Sequence, residues 1–372
     1  MNKIFIYTGP RNAFESFVDQ EAQGERKTLS TLVREIDDAK RNHLHLTTEQ
    51  AQELKDEEKP VIHNLVVYSN EYASVNEHVI FNMEGFLSRV EIDKLFFQNP
   101  PKVLHDKIMN SYSEVVLKSF EYPVLSKDIL TSIQTEFNSV IIDQGNVKEK
   151  LLKAFIPQIY GINNKPIIVM FFGPSGVGKT EAAKYISLQL GGKILRKQMS
   201  MFQSSDFMSY LFGGTIHDKC FARDLLDRET NVILLDEFDK ANTVFHSAFY
   251  QLFDEGLFVD SNYSVNVGNP IIICTSNYTG LQEIKKHLGD PIYSRFDSFI
   301  EFEKLSPKGA LQIVKKIASI EYDKLNAEAK GYVDIKEIIE VFTKHAKDLQ
   351  NVREIQSLIK ELIADQILEN IQ

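Results

Sequence analysis

The sequence predicts an α/β protein centred on a parallel sheet flanked by helices, with a separate mixed α/β domain before it and a small, mainly helical region after it. Three observations carry this expectation. Short apolar runs alternate with helical patterns through the middle of the chain, as they do when helices cover both faces of a parallel sheet. One of those runs leads into a glycine-rich loop and then a helix. From residue 305 onward the pattern turns mainly helical, with Tyr332-Val333-Asp334 as a short extended candidate.

Residues 1–120 mix helical and strand patterns. Phe14 to Lys40 reads as helical. Thr47 to Gln50 has the spacing of a capping box and opens a charged helix that ends before Pro60. Val61–Tyr68 and His78–Phe81 read as strands, and Asn99-Pro100-Pro101 as a break. His43 and His45 flank Leu44, but two histidines without further ligands read as a solvated loop, not a metal site. No chemical motif stands out here, and no internal repeat is legible in the chain.

The central region, 121–304, carries the chemistry. Pro166–Phe172 reads as a buried strand, and Glu181–Leu190 as a helix stopped by Gly191-Gly192. Between them lies Gly173-Pro174-Ser175-Gly176-Val177-Gly178-Lys179-Thr180, which fits G-x-x-x-x-G-K-[ST], the loop that cradles nucleotide phosphates. Its glycines let successive backbone N–H groups turn onto phosphate oxygens, and the helix N-terminus adds its positive end. Lys179 would reach the β- and γ-phosphates, and the Thr180 hydroxyl would bind Mg²⁺.

Further strands are expected at Lys193–Arg196, Asn231–Leu235, Pro270–Cys274 and Ser298–Phe302. The third of the five runs into Asp236-Glu237. Asp236 would hold Mg²⁺ through its water shell, and Glu237 would orient the attacking water, because phosphoryl transfer depends on positioning and charge neutralisation. Asn277, after the fourth strand, would approach the water or γ-phosphate from the opposite side. Arg295 and Arg353 are unremarkable alone, since a lone arginine is usually solvated or surface-paired.

Bulk properties narrow the classes. The 372 residues are 43% hydrophobic and 25% charged, ordinary for a globular protein, with room for two or three domains. A net charge of −10 argues against nucleic acid as partner. Cys220 and Cys274 form no C-x-x-C pair, which argues against a disulfide framework or a cysteine zinc site. The apolar run at Met1–Pro10 is too short for a signal peptide, and none approaches the roughly 20 residues of a membrane helix. A cytoplasmic protein without membrane contact is expected.

Taken together, the motifs resemble the AAA+ ATPases, within them the second ATPase ring of the Clp unfoldases, from about Leu125 to Leu368. Val140-Ile141-Ile142-Asp143-Gln144 is similar to the segment whose apolar residues line the adenine pocket, which assigns that role to Ile141 and Ile142. Leu234–Ala241 and Gln251–Gly256 match the acidic strand end and the helix end that follows. Thr275-Ser276-Asn277 resembles sensor 1. Ser294-Arg295-Phe296-Asp297 resembles the arginine-finger segment, so Arg295 would reach a neighbouring subunit's site, and Arg353 falls at the sensor-2 arginine of the lid. The resemblance implies ATP and Mg²⁺ as cofactors and a ring, a hexamer, that acts on a protein client. It gives a large ATPase subdomain (121–304) and a small lid (305–372), whereas residues 1–120 resemble no N-terminal domain of that family and are expected to form a separate partner- or client-binding domain.

The sequence departs from that family at Asp143, where glycine is usual, and at Asn351-Val352, which replaces a Gly-Ala pair. The largest departure is Phe212–Phe221, where the unfoldases carry a Gly-Tyr-Val-Gly loop that grips substrate. Ile216 and His217 are expected at the tip of this loop, with Phe221 opening the next helix and packed on the core. Two readings stay open: an ATP-driven remodeller of a partner protein, and a nucleotide-switched assembly platform that recruits an effector without threading it. A helicase or clamp loader fits less well.

Overall fold

The computed structural model describes residues 3–43, 59–201 and 206–371. Its contacts group into two compact units, one of Met1–Tyr122 with Ser204–Glu229 and Gly256–Gly268, the other of Pro123–Gln203, Thr230–Glu255 and Asn269–Gln372.

The first unit is built on a parallel sheet of β1 (Lys3–Thr8), β2 (Arg26–Thr28), β3 (Val61–Val67), β4 (Glu91–Gln98) and β5 (Val115–Ser119), in the order β2-β3-β4-β1-β5. Burial explains why the middle strands hold: Leu65, Val66 and Val67 of β3 and Leu95, Phe96 and Phe97 of β4 are almost wholly enclosed, as strands covered on both faces require. The helical run from Phe14 is broken in two. Helix Arg11–Glu21 ends, Gly24 turns the chain at φ 84°, and β2 intervenes before helix Leu29–His43. His78–Phe81, expected as a strand, is instead part of helix Glu77–Phe81. The Asn76 side chain accepts a bond from His78 N at 2.9 Å, and this cap overrides the apolar run. His45 and the capping box at Thr47–Gln50 lie outside the described residues, as does the side chain of His43.

The same unit includes helix Phe221–Leu226 and the hairpin of β9 (Leu257–Val259) and β10 (Ser264–Asn266). Phe221 does open its helix and is buried, edge-on to Phe258. Ile216, in contrast, is no exposed tip: it is 4% exposed and belongs to the N-terminal core with Ile4, Leu65 and Tyr72.

The second unit holds β6 (Ile167–Phe172), β7 (Leu195–Gln198), β8 (Val232–Asp236), β11 (Ile271–Thr275) and β12 (Ser298–Glu301), all parallel, in the order β12-β6-β11-β8-β7. Each lies within two residues of its expected position. Val169, Phe171, Leu234 and Ile273 fill the sheet's core from the centre, against Phe137, Leu151 and Phe155 of two flanking helices. Residues from Pro307 form helices around a second core, with Ile338, Phe342, Ile355 and Ile359. Val333 and Asp334 are extended, as expected, and link helix Ala327–Tyr332 to helix Ile335–Lys344 without pairing into a sheet among the described residues. The two sheets share one strand order: in each, the first strand lies between the last and the fourth.

Candidate active site

The glycine loop joins β6 to helix Lys179–Gln189. Gly173, Gly176 and Gly178 have φ of 129°, 76° and 106°, conformations that side chains resist. At Gly173 a Cβ would lie 2.2 Å from the Phe302 carbonyl oxygen, so β12 fixes the start of the loop. Lys179 is 8% exposed. Its ammonium donates to Gly173 O at 2.5 Å, to Pro174 O at 2.7 Å and to Asn277 Oδ1 at 3.1 Å. Burial lowers its pKa to about 8, against the pull of Asp239 and Asp236.

Asp236 ends β8 with both oxygens engaged. Thr275 Oγ1 donates to Oδ1 at 2.5 Å, and Arg196 Nε and Nη2 donate to Oδ2 at 2.9 and 2.5 Å. Thr275 Oγ1 also accepts from Glu237 N at 2.8 Å. Glu237 sits in the left-handed region at φ 55°, costly for a non-glycine residue and frequent where a side chain must be aimed.

Ser175, Gly176, Gly178, Lys179, Thr180, Asp236, Glu237, Asn277 and Arg353 line one cavity of about 480 Å³, within the usual size of a small-ligand site. The lid reaches it directly. Val352 N donates to Gly176 O at 2.9 Å, and Asn351 Oδ1 accepts from Arg353 N at 2.9 Å, capping helix Val352–Ile371. This is the work of the Asn351-Val352 pair that replaces Gly-Ala. Lid residues Glu321, Lys324 and Gln356 also line the cavity, with Glu321 accepting from Lys324 at 2.9 Å and from Gln356 at 3.0 Å.

Other expected site residues stand elsewhere. Val177 is buried in the core, and Gly173 and Pro174 contribute carbonyls to Lys179 rather than lining the cavity. Ile141 lies in the sheet's core and Ile142 packs on the lid core. Asp143 takes φ 64° without being glycine, and its carboxylate accepts from Ser306 N at 2.5 Å and Ser306 Oγ at 3.1 Å. The space it needs comes from Gly309, where a Cβ would lie 2.3 Å from the Asp143 carboxyl. Arg295 is outside the cavity lining. It pairs with Asp254 at 2.9–3.0 Å and stacks on Tyr250, 4.2 Å from the ring centre.

Sequence reasoning missed Arg196, Thr275 and Asp239. Arg196 stands second in the largely polar strand β7 and pairs with Leu234, two residues from Asp236 on the same face of the neighbouring strand, a register that no local pattern marks. Asp239 has its side chain 3% exposed, one oxygen without a hydrogen-bond partner among the described residues, and burial raises its pKa.

The donor set fits a nucleoside triphosphate with a divalent cation. A buried ammonium turned onto its own loop's carbonyls can be released to phosphate, and a hydroxyl and a carboxylate on the same cavity suit a hard cation. Comparisons with known proteins agree. The family model for the AAA domain (Cdc48 subfamily) matches residues 164–355, more than half of the chain. The chain is 31% identical over 257 residues to the ATP-dependent Clp protease ATP-binding subunit ClpL of Staphylococcus aureus strain bovine RF122 / ET3-1, covering 58% of this chain and 36% of that protein. The ClpL of strain USA300 is 30% identical over the same share. The chain thus spans about a third of the curated relatives it matches. Among solved structures, the S. cerevisiae Hsp104–ADP complex matches with a TM-score of 0.52 at 22% identity, over 65% of this chain and 49% of that one. A closed-state reconstruction of Hsp104 with ATPγS and FITC casein matches with a TM-score of 0.57 at 14% identity, over 100% and 88%. At such identities these two speak for the fold alone. The chain belongs to the AAA domain family (Cdc48 subfamily) and is a Clp-like AAA+ ATPase.

Proposed function

We propose that this chain uses Mg²⁺-dependent ATP hydrolysis to remodel or disassemble a partner protein as a ring, most simply a hexamer. The observation that carries the reading is the convergence of Lys179, Thr180, Asp236, Glu237 and Asn277 on one cavity that the lid's Arg353 also lines. Lys179 leaves its carbonyls for the β- and γ-phosphates. Thr180 and Asp236 hold the cation, which neutralises the charge of the phosphates. Glu237, fixed by Thr275 through its backbone, orients the attacking water, and Asn277 contacts it from the far side. Arg353 meets the nucleotide from the lid. Arg295, parked on Asp254, serves a neighbouring subunit. In this scheme residues 1–120 bind the partner, 121–304 hydrolyse and 305–372 form the lid. The relatives' names and the casein in the solved complex support a protein as client.

The second reading, a nucleotide-switched platform that does not thread its partner, is favoured by one observation: Ile216, in the segment where the unfoldases grip substrate, is buried in the N-terminal core. The experiment is to hold the ring in its ATP state with Glu237→Gln and identify what co-purifies, then measure ATPase rate against that protein. A client-dependent rise supports remodelling. A constant rate with stable co-assembly supports the platform. Failure of the wild type to hydrolyse ATP with Mg²⁺ would sink both.

A further inference from the structure

Strand for strand, the N-terminal sheet repeats the layout of the ATPase sheet. In each, the first strand lies between the last and the fourth, the second forms the far edge, and neighbours run parallel. In each, the first strand ends in Gly-Pro, Gly9-Pro10 and Gly173-Pro174, with both glycines at positive φ. A 3-10 turn follows the third strand, Ser69–Ala73 and Phe238–Lys240, and an asparagine stands at the carboxyl end of the fourth, Asn99 and Asn277.

Every part that would handle a nucleotide is replaced. Pro10 is the N-cap of helix Arg11–Glu21, so nothing corresponds to Ser175–Thr180. Val67 ends β3 and Tyr68 caps the turn after it, where Asp236 ends β8 and Glu237 caps its turn. Asn99, instead of meeting a lysine, holds Gly9 through its N–H and its C=O, both at 2.9 Å, and donates to the Asp227 carboxylate at 2.8 Å. A carboxylate at that edge repels phosphate.

Doubly wound sheets take ligands at the carboxyl ends of strands where the order reverses, which here is the edge of β1 and β4. The chain's own segment lies there and is tied along its length. Ile216 enters the N-terminal core, the His217 imidazole donates to Ala73 O at 3.0 Å, Arg223 Nη2 donates to Ser69 O at 3.1 Å, and Asp227 meets Asn99.

We propose that the N-terminal module is a nucleotide-blind copy of the ATPase fold, and that the edge where its counterpart takes phosphates is a docking site for the segment Ile216–Asp227 of the same chain. Docked at four points, that segment is not free to grip a passing polypeptide. This rests on the Clp-like reading of the segment, and it favours the non-threading form of the proposed function.

The test uses the full chain with two readouts, nucleotide titration and amide hydrogen exchange in ATP and in ADP. We expect one nucleotide per chain, abolished by Lys179→Ala, and protection of Ile216–Asp227 in both nucleotides. Asn99→Ala removes a hydrogen bond to a charged group, so exchange in this segment rises about tenfold while nucleotide stoichiometry stays the same. Should Asn99→Ala fail to fold, His217→Ala, at a half-exposed side chain, carries the same expectation. Residual nucleotide binding in Lys179→Ala overturns the proposal. So does exchange of Ile216–Asp227 at unstructured rates in either nucleotide, or no change in whichever of the two variants folds. Failure of the ATPase reading looks different: no nucleotide bound by the wild type, with the exchange pattern intact.

Discussion

The two five-stranded sheets of this chain share a strand order and differ in what stands at their carboxyl edges. Beside β6 and β8 the edge is a cavity lined by Lys179, Asp236 and Glu237. Beside β1 and β4 the edge is knitted shut, with Asn99 and Gln98 both bonded to the Gly9 carbonyl and the Asp227 carboxylate laid against Asn99. The difference lies in a few residues after each strand, not in the sheets, whose cores are equally closed. A parallel sheet provides a place, and the loops after its strands decide whether the place holds a ligand or the protein itself.

The largest effects should separate the two edges by chemistry. If Lys179 meets the β- and γ-phosphates as proposed, Lys179→Ala should abolish nucleotide binding. Glu237→Gln should keep binding and cut turnover by about 10²–10⁴-fold, the usual contribution of a positioned base. Arg11→Ala, at the corresponding start of the first helix of the other sheet, should leave both unchanged. Its side chain is exposed, bonded to Glu15 and set over Tyr68. A fall in ATPase rate with Arg11→Ala, measured by phosphate release, would show that the N-terminal edge takes part in the chemistry.

A second difference concerns acid. Below β8, His246 is 3% exposed and stacked on Phe238, with Nε2 unpartnered among the described residues. Burial lowers its pKa to about 4 from 6.5. Between those values the unfolded chain binds a proton that the folded chain refuses, so stability falls as pH drops from about 6.5 to 4, by about 3 kcal/mol in full. The buried Tyr72 and Tyr263 of the other unit have their pKa raised above 10 and do not titrate there. His246→Phe should flatten the acid limb of a denaturation series relative to wild type. Equal slopes in both proteins would mean that His246 is protonated within the fold.

How far this contrast could be read from the sequence differs between the units. The ATPase sheet was legible because its strands are unbroken apolar runs and its loop residues carry chemistry with fixed spacing, as Lys179 and Asp236 do. The N-terminal sheet was only half visible. β4 begins with the polar Glu91-Ile92-Asp93-Lys94, which hides an apolar end, and the cap at Asn76 turned an apolar run into a helix. Nothing local marks Ile216 as buried, because the core it enters is supplied by residues far away in the chain. Asp143 stands out in the sequence as a departure, but its compensation at Gly309 lies in another element, where a Cβ would stand 2.3 Å from the Asp143 carboxyl.

The smallest expected effect, on Arg196, sharpens the account of the open edge. This guanidinium lines the nucleotide cavity and holds Asp236 Oδ2 with two bonds, although its side chain is 41% exposed. Without a cation, the arginine is what shields Asp236 from an arriving triphosphate. In the proposed scheme, Mg²⁺ held by Thr180 and Asp236 would neutralise that carboxylate instead. Arg196→Ala, in a Glu237→Gln background to prevent turnover, should therefore weaken ATP binding about tenfold in excess chelator and much less in Mg²⁺, as the loss of a hydrogen-bonded charge partner implies. Arg196→Lys keeps the charge but not the fork, and should fall between the two. A fluorescent ATP analogue titrated with and without Mg²⁺ reads the difference. Equal losses under both conditions would mean that Arg196 touches the nucleotide itself, and that its hold on Asp236 is incidental.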